Sequence, residues 1–326
     1  MQRSRILGIG MYVPPRVVTN HELATKMETS HEWIVERTGI SERRIAGPGE
    51  STCSLAADAA RHAMQRAHIT AGEVDVIILT TATPDRLLPA TAVDVQAALG
   101  ATRAAAFDMQ AGCTGFVYAL NIATQYIWSG SAKNVLVLGA ECLSRIADYS
   151  DRTSCILFGD AAGAVVLSTD FRYGEIRSTS IAADGSGYDV MYQTAGGSRV
   201  PLTPELLATN ANKLVIRGRE VYKFATNKMV ELVRQEMAKN PDLELGAVIP
   251  HQMNQRIIEA ARERLELPEN RVYVNIMRYG NTSAASIPLA LDEARRTGFF
   301  AELDGKLVVF CAFGAGLTWG SVGRRW

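Results

Sequence analysis

This sequence predicts an α/β protein built from two similar halves, on three observations. Strand-like runs alternate with helical ones along most of the 326 residues, the pattern of mainly parallel, buried strands. A turn–helix–strand unit occurs twice at one fixed spacing. Apolar residues make up 47% and charged residues 21% of the chain, an ordinary soluble composition long enough for a large core.

In chain order, Glu50 to His68 reads as a helix, Val74 to Thr80 as a strand and Pro89 to Leu99 as a helix. Ala104 to Met109 reads as a short buried strand. Thr114 to Trp128 has apolar residues at helical spacing and no proline. Asn134 to Leu138 and Ala164 to Ser168 are continuous apolar runs of strand length. Ala183 to Asn212 contains six glycines and prolines and reads as a long surface excursion. Beyond it, Arg217 to Lys239, Gln255 to Leu265 and Ala284 to Thr297 read as helices. Ala247 to Ile249, Val272 to Ile276 and Leu307 to Ala312 read as strands.

The echo pairs Gly112-Cys113-Thr114, its helix to Gly130 and the strand Val135-Leu136-Val137-Leu138 with Gly280-Asn281-Thr282, its helix to Gly298 and Leu307-Val308-Val309-Phe310. Cys113 and Asn281 lie 168 residues apart, as do Gly130 and Gly298. Val76-Ile77-Ile78 and Ala247-Val248-Ile249 echo more weakly, 171 residues apart. Two halves follow, 1–172 and 173–326, with Cys113 and Asn281 at equivalent turns that converge across a pseudo-two-fold axis.

Formal net charge is zero, which gives no bulk attraction to nucleic acid or membrane. The apolar run after Arg5 stops at Pro14-Pro15, too short for a signal peptide, and no stretch approaches a membrane span. Five scattered cysteines without a CxxC pair imply neither a disulfide framework nor a zinc site. A reducing cytoplasm is expected, and no metal. Gly8-Ile9-Gly10 is a fragment of a dinucleotide turn, but Pro14-Pro15 blocks the helix it would need.

Cys113 is a candidate nucleophile. A thiol at a helix N-terminus sits in positive potential that favours thiolate, beside N–H groups able to hold an oxyanion. Against this, free cysteines are most often buried and inert. His251 follows the strand end at Pro250, and Asn281 opens a helix as a favoured N-cap type. An isolated histidine is usually a satisfied core residue. Here three reactive types stand at strand carboxyl ends, where α/β proteins bind ligands.

The segments Gln110–Phe116 (QAGCTGF), Pro250–Arg256 (PHQMNQR) and Tyr279–Ser286 (YGNTSAAS) resemble the β-ketoacyl-acyl-carrier-protein synthase III family. So do Glu32–Ile40 (EWIVERTGI), Phe158–Ala164 (FGDAAGA) and the tail Phe313–Gly320 (FGAGLTWG), in the family's order over nearly the whole chain. The resemblance implies a thiolase-like fold, two duplicated halves in α-β-α-β-α layers. It implies that Cys113 takes an acyl group from acyl-coenzyme A, and that malonyl-carrier protein then loses carbon dioxide and attacks the acyl-enzyme. His251 and Asn281 would donate to the malonyl thioester oxygen, and backbone N–H groups of Cys113 and Ala315 would hold the other oxyanion. The family usually has glycine where Ala315 stands.

The same resemblance assigns coenzyme A contacts to Trp33, Arg37, Arg152 and Asn254, the first and third sandwiching the adenine. Composition alone makes Trp33 a core aromatic and Arg152 an ion-pair partner of Asp148 or Asp151. Leu88, Leu143 and Phe313 match the acyl pocket, Leu88 reaching across a homodimer interface. Lys223 and Arg256 match the patch that meets the acidic carrier protein, extended by Arg217, Arg219 and Arg262. Coenzyme A thioester is then a substrate, and no cofactor is expected.

Three other readings compete. Cys…His…Asn is also the order of papain-type hydrolases, but the aromatic after their nucleophile is missing here. A thiolase proper needs a second catalytic cysteine, and Cys311 sits in an apolar strand context. A specialised condensing enzyme for polyketides or quinolones would carry the same three residues.

Overall fold

The structure is a computed structural model that describes residues 3–170 and 174–326. The boundary expected between Arg172 and Tyr173 lies outside the described residues. The first part of the chain contributes β1 (Arg5–Tyr12), β2 (Val17–Thr19), α1 (Asn20–Ala24), α2 (His31–Thr38), β3 (Glu42–Arg44) and α3 (Thr52–Ala67). It continues with β4 (Val76–Thr80), α4 (Thr91–Leu99), β5 (Ala105–Met109), α5 (Gly115–Trp128), β6 (Asn134–Glu141) and β7 (Ala161–Ser168). The rest contributes β8 (Ile176–Ala183), β9 (Met191–Gln193), α6 (Pro204–Ala208), β10 (Leu214–Ile216), α7 (Gly218–Lys239) and β11 (Leu245–Pro250). Last come α8 (Gln255–Arg264), α9 (Ile276–Tyr279), α10 (Ser286–Arg296), β12 (Leu307–Gly314) and β13 (Thr318–Arg325).

One sheet has the order β1-β7-β6-β4-β5 and the other β11-β12-β13-β8. In both, a parallel pair (β4 with β6, β11 with β12) is followed by antiparallel partners toward the sheet's first strand. The fifth position of the second sheet is a single parallel bridge between Val248 and Val272. The strand expected over Val272–Ile276 is therefore absent, because α9 begins at Ile276.

Alternation along the strands builds five layers. Val76, Ile78, Val135 and Val137 point to one face, where they meet Phe116, Leu120 and Ile127 of α5, Ile287 and Leu291 of α10, and Val308, Phe310 and Val322 of the second sheet. Ile77, Leu79, Leu136 and Leu138 point to the other face, against α3 and α4. Val248, Val309 and Phe313 face α7 and α8. The two central helices are thus covered on both sides. That explains why α5 is apolar around its circumference rather than along one stripe.

Local chemistry agrees. The Ser51 side chain accepts from Ser54 N–H, and the Ser54 hydroxyl accepts from Ser51 N–H, which caps α3 at both ends of the box. The Gly8/Gly10 pair packs β1 onto α3: a Cβ on Gly10 would lie 2.3 Å from the Ala59 carbonyl oxygen. Close helix–sheet packing, not nucleotide binding, accounts for those glycines. The excursion from Ala183 to Asn212 is mostly exposed, as expected, but β9 within it pairs with β10 just beyond it as a hairpin.

Candidate active site

The strand–turn–helix segment places Cys113. After β5 the chain makes a 3-10 turn over Gly112–Thr114 before α5 starts. Gly112 has φ +52°, a left-handed conformation that glycine adopts without steric cost. In the second half a 3-10 turn over Ser283–Ala285 precedes α10, and Ser283 has φ +48°. By turn position and left-handed residue, Ser283 matches Gly112 and Ala284 matches Cys113, an offset of 171 residues. The expected pairing of Cys113 with Asn281 is displaced by three residues, because α10 is shorter than α5 at its start. Convergence still holds.

Cys113, Asn281, Ser283 and Ala315 line one cavity of about 1100 Å³. The strand end at Gly314 lies flat on the Cys113 backbone: a Cβ on Gly314 would approach Cys113 N to 2.8 Å. A Cβ on Gly112 would come 3.3 Å from Ala315 N. The backbones of Cys113 and Ala315 are therefore neighbours at the cavity wall. Ala315 is not among the left-handed residues of the chain, so alanine fits where the family uses glycine.

The helix-end pull toward thiolate meets an opposing effect. Burial pushes the Cys113 thiol up to about 12, against a smaller downward pull from the Ser283 hydroxyl. Negative charge on Glu141 adds to the rise, and the cysteine's own backbone opposes it. A helix end favours a thiolate by roughly 0.3–2 kcal/mol, and desolvation acts against it.

His251 is fully buried, with its N–H bonded to the Cys311 carbonyl at 2.8 Å. It does not itself line the cavity; Met253 and Asn254 just beyond it do. Its Nδ1 lies 2.7 Å from Ser286 Oγ, which also accepts from Gln252 N–H at 3.4 Å. With the serine proton directed to Nδ1, the ring proton sits on Nε2. That Nε2 is buried and without a partner. Burial lowers the His251 pKa to about 3, so the ring is a neutral donor. Asn281 Oδ1 accepts from Ser283 N–H at 2.8 Å. That bond fixes the amide orientation and leaves its NH₂ side as a donor.

Toward the cavity mouth, Trp33, Arg37 and Asn254 line the wall. The Arg37 and Arg152 guanidinium carbons lie 4.3 Å and 5.2 Å from the Trp33 ring centroid. Arg152 Nη1 donates to the Glu28 carbonyl at 2.6 Å and not to Asp148 or Asp151. Asn254 caps α8 and donates to the Arg37 carbonyl at 3.0 Å. Leu143 lines the cavity, and so do Met191, Leu214 and Ile216 from the β9–β10 hairpin, which no motif marks.

Two residues assigned to the acyl pocket, Phe313 and the interface-crossing Leu88, do not line this chain's cavity. Phe313 is fully buried beside His251, ring centroids 6.0 Å apart, and does not line the cavity. Leu88 is 85% exposed next to Leu87 at 87%, outside this chain's own cavity. Arg219 and Arg256 line the mouth, and Lys223 is exposed on α7. Arg217 and Arg262 are instead paired with Asp189 and Glu259.

All five cysteines are free. Cys311 is fully buried on β12 and its thiol is pushed up to about 12, as an ordinary strand residue would be. Among the described residues, no group of three His, Cys, Asp or Glu is arranged to hold a metal. No helix among them is long and apolar enough to cross a membrane.

Two family models match the chain: 3-oxoacyl-[acyl-carrier-protein (ACP)] synthase III over residues 107–185, and its C-terminal model over residues 236–326. The β-ketoacyl-[acyl-carrier-protein] synthase III of Roseiflexus sp. (strain RS-1) is 49% identical over 323 residues, 98% of this chain and 97% of that protein. The crystal structure of 3-oxoacyl-[acyl-carrier-protein] synthase III from Aquifex aeolicus VF5 superposes with TM-score 0.91 at 44% identity, covering 99% of this chain and 100% of the other. A priming β-ketosynthase from the R1128 polyketide biosynthetic pathway superposes with TM-score 0.89 at 34% identity, covering 99% and 97%.

Proposed function

The chain belongs to the 3-oxoacyl-[acyl-carrier-protein] synthase III family, and we infer that it joins an acyl primer to malonyl-[acyl-carrier protein], starting fatty-acid chains. It is a β-ketoacyl-synthase acyltransferase with the thiolase-like fold. The primer arrives as acyl-coenzyme A. Cys113 attacks its thioester, the N–H groups of Cys113 and Ala315 hold the tetrahedral oxyanion, and the coenzyme leaves as thiol. Malonyl-carrier protein then enters. As carbon dioxide departs, charge collects on the thioester oxygen, where His251 Nε2–H and the Asn281 amide donate. Two fixed neutral donors suit this step, because decarboxylation needs an electron sink rather than a base. The enolate carbon attacks the acyl-cysteine and releases the β-ketoacyl-carrier protein.

What carries this reading is a pair of donors: the Asn281 amide, which lines the same cavity as Cys113, and His251 Nε2, which is buried and without a partner. The coenzyme would lie along Trp33, Arg37, Arg152 and Asn254, with the Trp33 face and the Arg152 guanidinium suited to adenine. Lys223 and Arg256, with Arg219 beside them, would meet the acidic carrier protein. Leu87 and Leu88 stand in water at a cost that a second copy would remove; a homodimer places Leu88 at the partner's acyl pocket. Cytoplasmic residence follows from the reduced cysteines this chemistry requires. The polyketide reading is supported by the R1128 relative, at lower identity.

Incubation with a panel of acyl-coenzyme A compounds should add each acyl mass to Cys113, and malonyl-carrier protein should discharge it. Cys113→Ala should take no acyl group yet still decarboxylate malonyl-carrier protein. Acyl transfer to Cys113→Ala at the wild-type rate would overturn the assignment.

A further inference from the structure

The chemistry above does not use a fully buried carboxylate next to the nucleophile. Glu141 ends β6 and has no exposed surface. Its Oε2 accepts from Ala82 N–H at 3.0 Å, Thr83 Oγ1 at 3.0 Å and Thr81 Oγ1 at 3.2 Å. Its Oε1 is buried without a hydrogen-bond partner. Ala82, Cys113 and Ser283 all line the catalytic cavity, so the carboxylate lies directly behind that wall.

Geometry aims it there. Gly139 lies two residues earlier on β6, on the same face as Glu141. A Cβ on Gly139 would come 2.3 Å from the Ala284 carbonyl oxygen, so this face of β6 presses on the turn that carries Ser283. The Ser283 hydroxyl interacts with both the Cys113 thiol and the Glu141 carboxyl, and favours the ionised form of each. It does not complete a bond to Oε1 in this state.

We propose that Glu141 is a positioning residue for Cys113: through the Ser283 hydroxyl it takes the thiol proton as the acyl thioester is attacked. This deepens the condensing-enzyme reading and rests on it. The S–H bond of Cys113 breaks and its proton passes to Ser283 Oγ while the Ser283 proton passes to Glu141 Oε1. The sulfur pair forms the S–C bond to the acyl carbon. Collapse of the adduct breaks the C–S bond to coenzyme A, whose thiolate recovers the proton by the reverse route and restores the carboxylate.

The physical reason is charge conservation in a buried site. Loss of the proton to bulk water would create a desolvated anion, which is costly. Transfer to Glu141 moves one negative charge from carboxylate to sulfur. It also removes the repulsion that ionised Glu141 exerts on the thiolate. His251 is a poor alternative acceptor, since burial keeps it neutral down to about 3, whereas burial raises Glu141 to about 7. Facing Glu141 are the Thr81–Thr83 loop, the Cys113 turn and Ser283, with Cys142 adjacent in the chain. Its hydrogen-bond partners Thr81, Ala82 and Thr83 are all uncharged.

The test follows acylation of Cys113 by acetyl-coenzyme A, read as mass, from about pH 5.5 to about pH 9. Wild type should show a rate that climbs through the Glu141 ionisation near 7 and then levels. Glu141→Gln keeps shape but cannot take the proton; at neutral pH its acylation should slow by roughly a hundredfold, with no levelling as pH rises. Ser283→Ala should reproduce that profile, and it carries the test if Glu141→Gln fails to fold. Discharge of pre-acylated variants by malonyl-carrier protein should stay near wild type. A wild-type pH profile in both variants would overturn the proposal alone. A wild type that takes no acyl group at any pH would overturn the functional reading and this proposal with it.

Discussion

The two 3-10 turns that lead into the central helices are one device used for two tasks. Each opens with a left-handed residue, Gly112 at +52° and Ser283 at +48°. Each is pressed by a glycine-bearing strand of the opposite half: Gly314 of β12 lies on Cys113, and Gly139 of β6 lies on Ala284. The first turn carries a thiol at its second position; the second carries alanine there and places its functional side chains earlier. In the first, glycine takes the left-handed angle at no steric cost. In the second, serine accepts a strain of order 1–2 kcal/mol, held in place by the Asn281 side chain. Duplication supplied the frame, and the chemistry was divided unequally across it.

The largest expected effect tests that division. If the second half serves the malonyl step, His251→Ala should leave acylation of Cys113 within about threefold and slow malonyl decarboxylation by roughly 10²–10³-fold. Equal loss of both half-reactions would erase the contrast between the turns. Because burial holds the His251 pKa at about 3 against an ordinary 6.5, the unfolded chain binds a proton that the folded one refuses. Stability therefore rises with pH between those values, by up to about 1.4 kcal/mol per pH unit. Denaturant titrations of wild type and variant should show that acid slope only in wild type.

A smaller effect probes the pressing strands. Gly139→Ala drives a methyl into the Ala284 carbonyl and Gly314→Ala drives one toward Cys113 N. Each should lose about 1–3 kcal/mol, the usual cost of overpacking, measured by chemical denaturation. Their kinetic signatures should differ. The Gly314 variant should lose acylation first, and the Gly139 variant should also lose malonyl decarboxylation by displacing Asn281. Identical signatures would mean that the two turns are not separable.

Cys113 and His251 were legible because each follows a strand in a motif-bearing segment, whereas Asn281 follows α9 and only its motif marks it. The six longer helices were legible from their apolar period; α1, α2, α6 and α9 span too few turns to show one. β13 was not: Thr318–Arg325 is largely small or charged, and it forms a strand only because β12 and β8 flank it. The run at Val272–Ile276 had strand composition, yet pairing supports a single bridge before α9. Glu141 closes an apolar strand and reads as its solvent end; its burial comes from the Thr81–Thr83 loop, an arrangement 60 residues distant in sequence. The opposing pull on the Cys113 thiol is hidden from the sequence for a related reason. A helix end can be read from sequence, but the desolvation that opposes it depends on how the halves close over the site.

Ser283→Gly makes the second turn resemble the first and gives the smallest expected change in stability. Glycine relieves the left-handed strain but has more unfolded-state entropy to lose, a penalty of about 0.4–1 kcal/mol. The two nearly cancel, so denaturation midpoints should agree with wild type to within about 1 kcal/mol. Acylation should nonetheless fall as far as in Ser283→Ala, because the hydroxyl is gone in both. Stability intact with acylation slowed would mean that serine is kept at a strained position for its proton-carrying oxygen. A loss of several kcal/mol with unchanged acylation would make the hydroxyl a structural tie, and the second turn would then differ from the first in packing rather than in chemistry.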